Sequence, residues 1–178
     1  MTMKEQYQKE IVPMLQKEMG IKNALAVPKV TQVTVSVGLS QGIKDPKVTD
    51  IVEQTLTRIT GQRPVKTKAK KSIASFKIRE GLVVGTVVTL RGERMWDFLF
   101  KLVNTTFPRI RDFRGISPKL IDQHGNISIG FRENLSFPEI RPDEVERVHG
   151  LQITVSTTAK NAKAGFLLLS ALGFPFQH

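Results

Sequence analysis

The octapeptide VTQVTVSV, residues 30–37, constrains the fold more than any other stretch of the chain. Val33, Val35 and Val37 fall on one side of an extended backbone, and Gln32, Thr34 and Ser36 fall on the other. Successive side chains of a strand point to opposite faces, so this pattern predicts a strand with one buried and one polar face. LVVGTVVTL (82–90) and LQITVSTT (151–158) carry strand signals of similar strength, and ISIGF (127–131) a shorter one. Residues 64–69 and 75–79 read as two further strands around a lysine-rich loop.

Helical periodicity fills the remainder. In residues 3–19, Tyr7, Ile11, Met14, Leu15 and Met19 recur at three- and four-residue spacing, with Pro13 as a kink and Gly20 as the stop. Asp45-Pro46 reads as an N-cap followed by a first-turn proline. Behind it Val48, Ile51, Val52, Thr55 and Ile59 form an apolar stripe closed by Gly61. MWDFLFKLVNTTF is expected to be a helix stopped by Pro108, DEVERV a short helix, and residues 160–172 a last one ended by Gly173. Strands adjacent in sequence, interspersed with helices, predict an α+β fold: a mainly antiparallel sheet with helices packed on one face. No repeat or linker divides the 178 residues, so a single domain over 1–178 is expected.

Charge then narrows the function. The chain has 27 Lys+Arg against 16 Asp+Glu, a net +11. Residues 1–119 hold 22 of those cations and 10 of the acids, so the excess is lopsided. That balance points to a polyanion, nucleic acid ahead of an anionic membrane. There is no cysteine, which excludes disulfides and thiolate metal sites. The N-terminal MTMKEQYQKE lacks the apolar core of a signal peptide, and GFLLLSALGFPF is too short and too broken to span a bilayer. A cytoplasmic protein that does not enter membranes is expected. His124, His149 and His178 show no metal-ligand spacing, and GLSQG (38–42) lacks the Gly-Lys-Ser/Thr ending of a phosphate loop. The scattered acids offer no pair for acid/base work. The reading is of a protein that is not an enzyme and needs no metal or cofactor.

The densest charge lies in PVKTKAKKSIASFKIREG, residues 64–81. No acid occurs between Glu53 and Glu80, yet Ile73, Phe76 and Ile78 are threaded among the cations. A passive charged hairpin has little use for them. Cations for phosphate with apolar groups for sugar and bases suit an RNA partner. Phe76 could equally face the core of its strand. In RIRDFRG, three arginines surround Phe113. Two readings stay open there: Phe113 plugs the core while the arginines pair with acids such as Asp112, or the arginines meet RNA. No helix-turn-helix, zinc-finger or basic-zipper pattern favours DNA.

TKAKKSIASFKIREG, TLRGERMWDFL, PRIRDFRG, the GN of HGN, FPEI and TTAK…LLLSALGFPF occur in an order and spacing that resemble the bacterial large-subunit ribosomal protein L-five (uL-five) family, over about residues 3–177. The resemblance implies a non-enzymatic, ribosome-associated protein with an RNA-recognition-like sandwich. It would bind 5S rRNA in the central protuberance, beside 23S rRNA and other central protuberance proteins. The loop Lys68, Lys70, Lys71, Ser72, Ile73, Ala74, Ser75, Phe76, Lys77 and Arg79 would contact the P-site tRNA. A part of the second half would face the small-subunit protein S-thirteen. Residue by residue, the 5S-binding positions match Ser36, Gln62 and Thr89, with Arg63 beside them in the intact GQRP motif. Arg91, Arg109, Arg111 and Arg114 are further candidates for RNA or interface contact. An RNA-binding chaperone or regulator working off the ribosome is the alternative. The sequence departs from the family at Ser36, where asparagine is usual and serine offers a single donor. It departs again at QHGN, where His124 replaces a cation, and at NAKAG, where the last helix usually opens with acids.

Overall fold

The computed structural model describes residues 2–39, 46–144 and 148–177. The expected Asp45 cap, part of GLSQG and part of DEVERV lie outside the described residues; Pro142–Glu144 is a 3-10 turn. Five strands are present: β1 (Val30–Gly38), β2 (Val65–Lys68), β3 (Val83–Leu90), β4 (Ile127–Phe131) and β5 (Leu151–Thr157). They form one antiparallel sheet in the order β2-β3-β1-β5-β4, with β1 at its centre, and with the helices they make the α+β fold that the sequence predicts. The helices are α1 (Met3–Gln6), α2 (Val12–Met19), α3 (Pro46–Thr60), α4 (Gly92–Lys101), α5 (Phe107–Arg109) and α6 (Ala162–Ala171).

Two prolines follow a widened helical turn. Tyr7–Ile11 widens into a π turn, its Val12 N–H reaching back to the Tyr7 carbonyl, and Pro13 follows as the second residue of α2. Leu102–Thr106 does the same before α5, with Phe107 N–H donating to the Leu102 carbonyl and Pro108 second. A proline has no N–H and clashes with the carbonyl four residues back. The wider π turn relieves that conflict. Pro108 is therefore carried through the helix rather than stopping it, and the chain leaves helical geometry only at Ile110. The expected strand at 75–79 is also absent. Ala74–Phe76 is a 3-10 turn and Lys77 is left-handed at φ 55°, because Ile73 and Ile78 pair directly and leave four residues to reverse the chain.

The chain divides into two compact units: residues 1–33, 90–129 and 154–178 form the first, and 34–89 with 130–153 the second. In the first, the Tyr7 and Trp96 rings lie 5.2 Å apart. The buried Tyr7 hydroxyl donates to the Pro28 carbonyl at 2.9 Å, and burial raises its pKa. Leu15, Leu99, Leu102, Phe107 and Leu168 complete this core. In the second, Val35, Val37, Leu39, Leu56, Ile59, Val88 and Ile153 are buried, and Phe131 packs on Phe137 at 5.6 Å.

The tightest crossing in the first unit brings the turn at Gly125 onto the start of α6. A Cβ on Gly165 would sit 2.4 Å from the Gly125 Cα, and one on Gly125 would sit 2.5 Å from the Ala159 Cβ. Thr157 locks the crossing: its hydroxyl donates to the Gly125 carbonyl at 2.9 Å and its N–H to Asn126 Oδ1 at 2.8 Å. Gly165→Ala is expected to cost about 1–3 kcal/mol or more through overpacking. Gly130→Ala, with open space around the new methyl, is expected to change stability little. Chemical denaturation followed by Trp96 fluorescence measures both; equal stabilities would rule out the tight crossing.

Candidate RNA interface

Alternation on two neighbouring strands sets up the first candidate surface. Val35 and Val37 of β1 and Val88 and Leu90 of β3 are buried, which leaves Thr34, Ser36, Val87 and Thr89 half-buried. Gln62 joins Thr89 directly: its Nε2 donates to the Thr89 carbonyl at 3.2 Å. The Gln62 backbone is held in turn by Thr60, whose hydroxyl accepts from Gln62 N–H at 3.3 Å and donates to the Leu56 carbonyl at 2.7 Å. Gln62 is thus fixed just past the end of α3, where Gly61 at φ 67° turns the chain. Among the described residues its side-chain oxygen and the Thr89 hydroxyl form no hydrogen bond, and such groups have the chemistry that 2′-hydroxyls and phosphate oxygens need. Ser36 lies on the strand next to β3, half-buried, as the alternation requires.

Arg63 is not a free cation. Its Nε meets Glu53 Oε1 at 3.1 Å, while Lys66 Nζ reaches Glu53 Oε2 at 3.1 Å and Asp50 Oδ1 at 3.3 Å. Asp50, Glu53 and Arg63 border an open groove of about 670 Å³ along α3, lined also by Gln54, Thr57 and Arg58. Hydrogen bonds from Lys66 first and Arg63 second hold the Glu53 carboxyl below its ordinary 4.5. The sequence marked Arg63 as a candidate and gave no sign of its partner, because Glu53 lies ten positions back on another element.

The basic hairpin is built from backbone. Ala69 N–H donates to the Leu82 carbonyl at 2.8 Å and Gly81 N–H to the Ala69 carbonyl at 2.9 Å. Ile73 and Ile78 exchange bonds of 2.8 and 3.1 Å, and the Ser72 hydroxyl accepts from Glu80 N–H at 2.9 Å. A bulge between Thr67 and Lys68 offsets the register where the hairpin leaves the β2–β3 pair. Lys68, Lys70, Lys71, Lys77 and Arg79 are exposed and form no ion pair among the described residues. Ser72, Ala74 and Ser75 are exposed with them. Phe76 is 70% and Ile73 44% exposed, so the aromatic side chain faces solvent and not the core.

The arginine candidates separate. Arg91 spends Nε and Nη2 on Gln32 Oε1, at 3.2 and 2.8 Å, which fixes its guanidinium over β1. Gln32 escaped the candidate set; its place on the polar face of β1 was the available signal. Phe113 stacks on Phe107 with centroids 5.5 Å apart, while Arg109, Arg111 and Arg114 are exposed without an ion pair among the described residues. The first reading of RIRDFRG holds for Phe113, which anchors the loop, and fails for the arginines, which form no ion pair with Asp112 among the described residues. Among the described residues no group of three His, Asp or Glu could hold a metal ion, and no helix is long and apolar enough to cross a membrane.

Glu53→Gln tests the ion-pair network. A depressed carboxyl stabilises the fold above the ordinary carboxylate range and loses that contribution as pH falls through its folded value. Between about pH 6 and about pH 3 the parent chain is expected to lose more stability than the Gln variant. Parallel slopes in denaturation midpoints would show that the pair contributes nothing.

Comparison with known proteins agrees over almost the whole chain. A profile described as ribosomal protein L5 matches residues 23–79, and a second, for the C-terminus of the same ribosomal family, matches residues 83–176. The large ribosomal subunit protein uL5 of Halothermothrix orenii is 53% identical over 172 residues, covering 97% of this chain and 96% of that protein. The protein of the same name from Desulforapulum autotrophicum is 51% identical over 177 residues, 99% of each chain. That from Herpetosiphon aurantiacus is 47% identical over 175 residues, 98% of each. With both profiles matched and half the residues shared with full-length relatives, the chain belongs to the ribosomal protein L5 family.

Proposed function

We propose that the protein is a structural, non-enzymatic constituent of the large ribosomal subunit that binds 5S rRNA in the central protuberance and touches the P-site tRNA through its basic hairpin. The observation that carries this reading is the hairpin: five cations with no carboxylate partner among the described residues flank an exposed Phe76 on a backbone-braced loop. Such a loop offers phosphate contacts and a ring for stacking. The half-buried group of Ser36, Gln62 and Thr89 is the proposed 5S surface, with Arg63 entering by exchanging Glu53 for a phosphate. Arg91, Arg109, Arg111 and Arg114 add backbone contacts, 23S rRNA among their partners. Segment 130–153 holds five acids against three cations, which suits a protein such as S-thirteen or a central protuberance neighbour better than RNA. Ribosome association in the cytoplasm follows from these partners. That the two units act as one domain is part of the same proposal, since β1 contributes residues to both.

Titration against 5S rRNA with tRNA and duplex DNA as competitors tests the reading. Tight 5S binding that survives both competitors and added salt is expected; equal, salt-labile binding to all three would reduce the protein to a generic basic RNA binder. Gln62→Ala with Thr89→Ala is expected to weaken 5S binding by about 1–3 kcal/mol, and unchanged affinity would remove both from the site. Alanine at Lys68, Lys70 and Lys71 is expected to spare 5S binding while weakening tRNA contact on assembled ribosomes. A collapse of 5S affinity in that folded variant would overturn the division of labour.

A further inference from the structure

Lys29 and the pair Lys160 and Lys163, far apart in sequence, are brought onto adjoining stretches of backbone in the first unit. Lys29 is tied to Thr158 in both directions: its N–H donates to the Thr158 hydroxyl at 3.0 Å, and Thr158 N–H donates to its carbonyl at 2.9 Å. Lys160 follows two positions on. Lys163 lies in the first turn of α6, whose cap is Asn161, with Oδ1 accepting from Ala164 N–H at 2.8 Å. The turn at 122–126, carrying exposed His124, is packed against the same segment through Gly125, Ala159 and Gly165. All three lysines are exposed, and none forms an ion pair among the described residues, unlike Lys4 with Glu93 or Lys66 with Glu53.

The charge here is not offset. No acid occurs after Glu146 in the sequence, and Asp122 is the one acid on the converging segments 27–31, 120–128 and 156–166. Its carboxylate is already engaged: it accepts from His124 N–H at 2.9 Å, Asn126 N–H at 2.8 Å and Asn126 Nδ2 at 2.9 Å. Burial alone would raise its pKa, but those bonds outweigh burial and hold it below 3.8. Asp122 therefore stays a charged brace for the turn and is poorly placed to neutralise three ammonium groups.

We infer that Lys29, Lys160 and Lys163 form a second polyanion-binding surface, which takes the sugar–phosphate backbone of a nucleic acid by charge and without reading bases. The surroundings select that partner over an acidic protein. No large apolar side chain is exposed in 27–31 or 156–166, and on 120–128 the one that is, Leu120, lies outside the turn at 122–126 that packs on the start of α6, so the lysine-bearing segments carry neither the anchor that protein interfaces concentrate at their centre nor the ring that base stacking needs. What it offers is ammonium groups on short, hydrogen-bonded backbone, the equipment for phosphate contact. The inference does not rest on the 5S reading, because it uses none of Ser36, Gln62, Thr89 or the hairpin.

The test uses the full chain and a 20-base-pair RNA duplex of arbitrary sequence, whose binding can be read whether or not 5S recognition holds. In the complex, Lys29, Lys160 and Lys163 are expected to be shielded from amine acylation, read by mass spectrometry; full reactivity of all three at saturating duplex overturns the inference. Alanine at the three positions is expected to lower the slope of log K against log salt by roughly 2, and arginine at all three to restore it. An unchanged slope in the folded alanine variant overturns the inference. So does loss of binding to polyglutamate alone, which would assign the patch to an acidic protein.

Discussion

The fold rests on the position of β1 at the centre of the sheet. Val33, Val35 and Val37 bury one face of this strand, and that burial sets the register of everything beside it. A slip of one residue would expose all three valines and bury Gln32, Thr34 and Ser36, so the register is strongly specified. Because the apolar face is committed to the core, the polar residues stay at half exposure, where their hydrogen-bonding groups can be used. The candidate contacts on β1 and β3 are by-products of the same alternation that makes the sheet stable.

A second constraint is repulsion among cations. The hairpin gathers five of them, and among the described residues no carboxylate pairs with any of the five. The loop is held instead by backbone bonds between Ala69 and Leu82 and between Ile73 and Ile78. Where a cation must be kept in place, the molecule does otherwise. Glu53 clamps Arg63 and Lys66 beside α3, and Gln32 clamps Arg91 on β1. Clamped cations present a defined geometry, and unclamped ones offer charge to an incoming polyanion.

The sequence made most elements legible because their signals are local. Alternation placed β1 and β5, the LVVGTVVTL run placed β3, an apolar stripe placed α3, and Gly173 marked the end of α6. Pro108 was misjudged in kind, since a π turn ahead of a proline leaves no composition signal. Residues 75–79 read as a strand beside the lysine-rich loop, but the direct pairing of Ile73 with Ile78 left no length for one. Phe76 was undecidable for the same reason: its facing depends on whether a strand exists.

By itself the sequence determined the α+β class, the basic hairpin and the polar row containing Ser36 and Thr89, all set by residue types within a few positions of one another. Only the tertiary structure decided which cations are partnered. Arg63 and Arg91 meet partners ten and fifty-nine residues away, and chain spacing carries no information about such meetings. The lysine patch is the clearest case. Residues 120–178 sum to a slight excess of acid, six against five cations, yet folding leaves Lys160 and Lys163 beside Lys29 with one engaged carboxylate near them. Charge is summed along the chain in sequence and through space in a fold, and the electrostatic energy depends on the second.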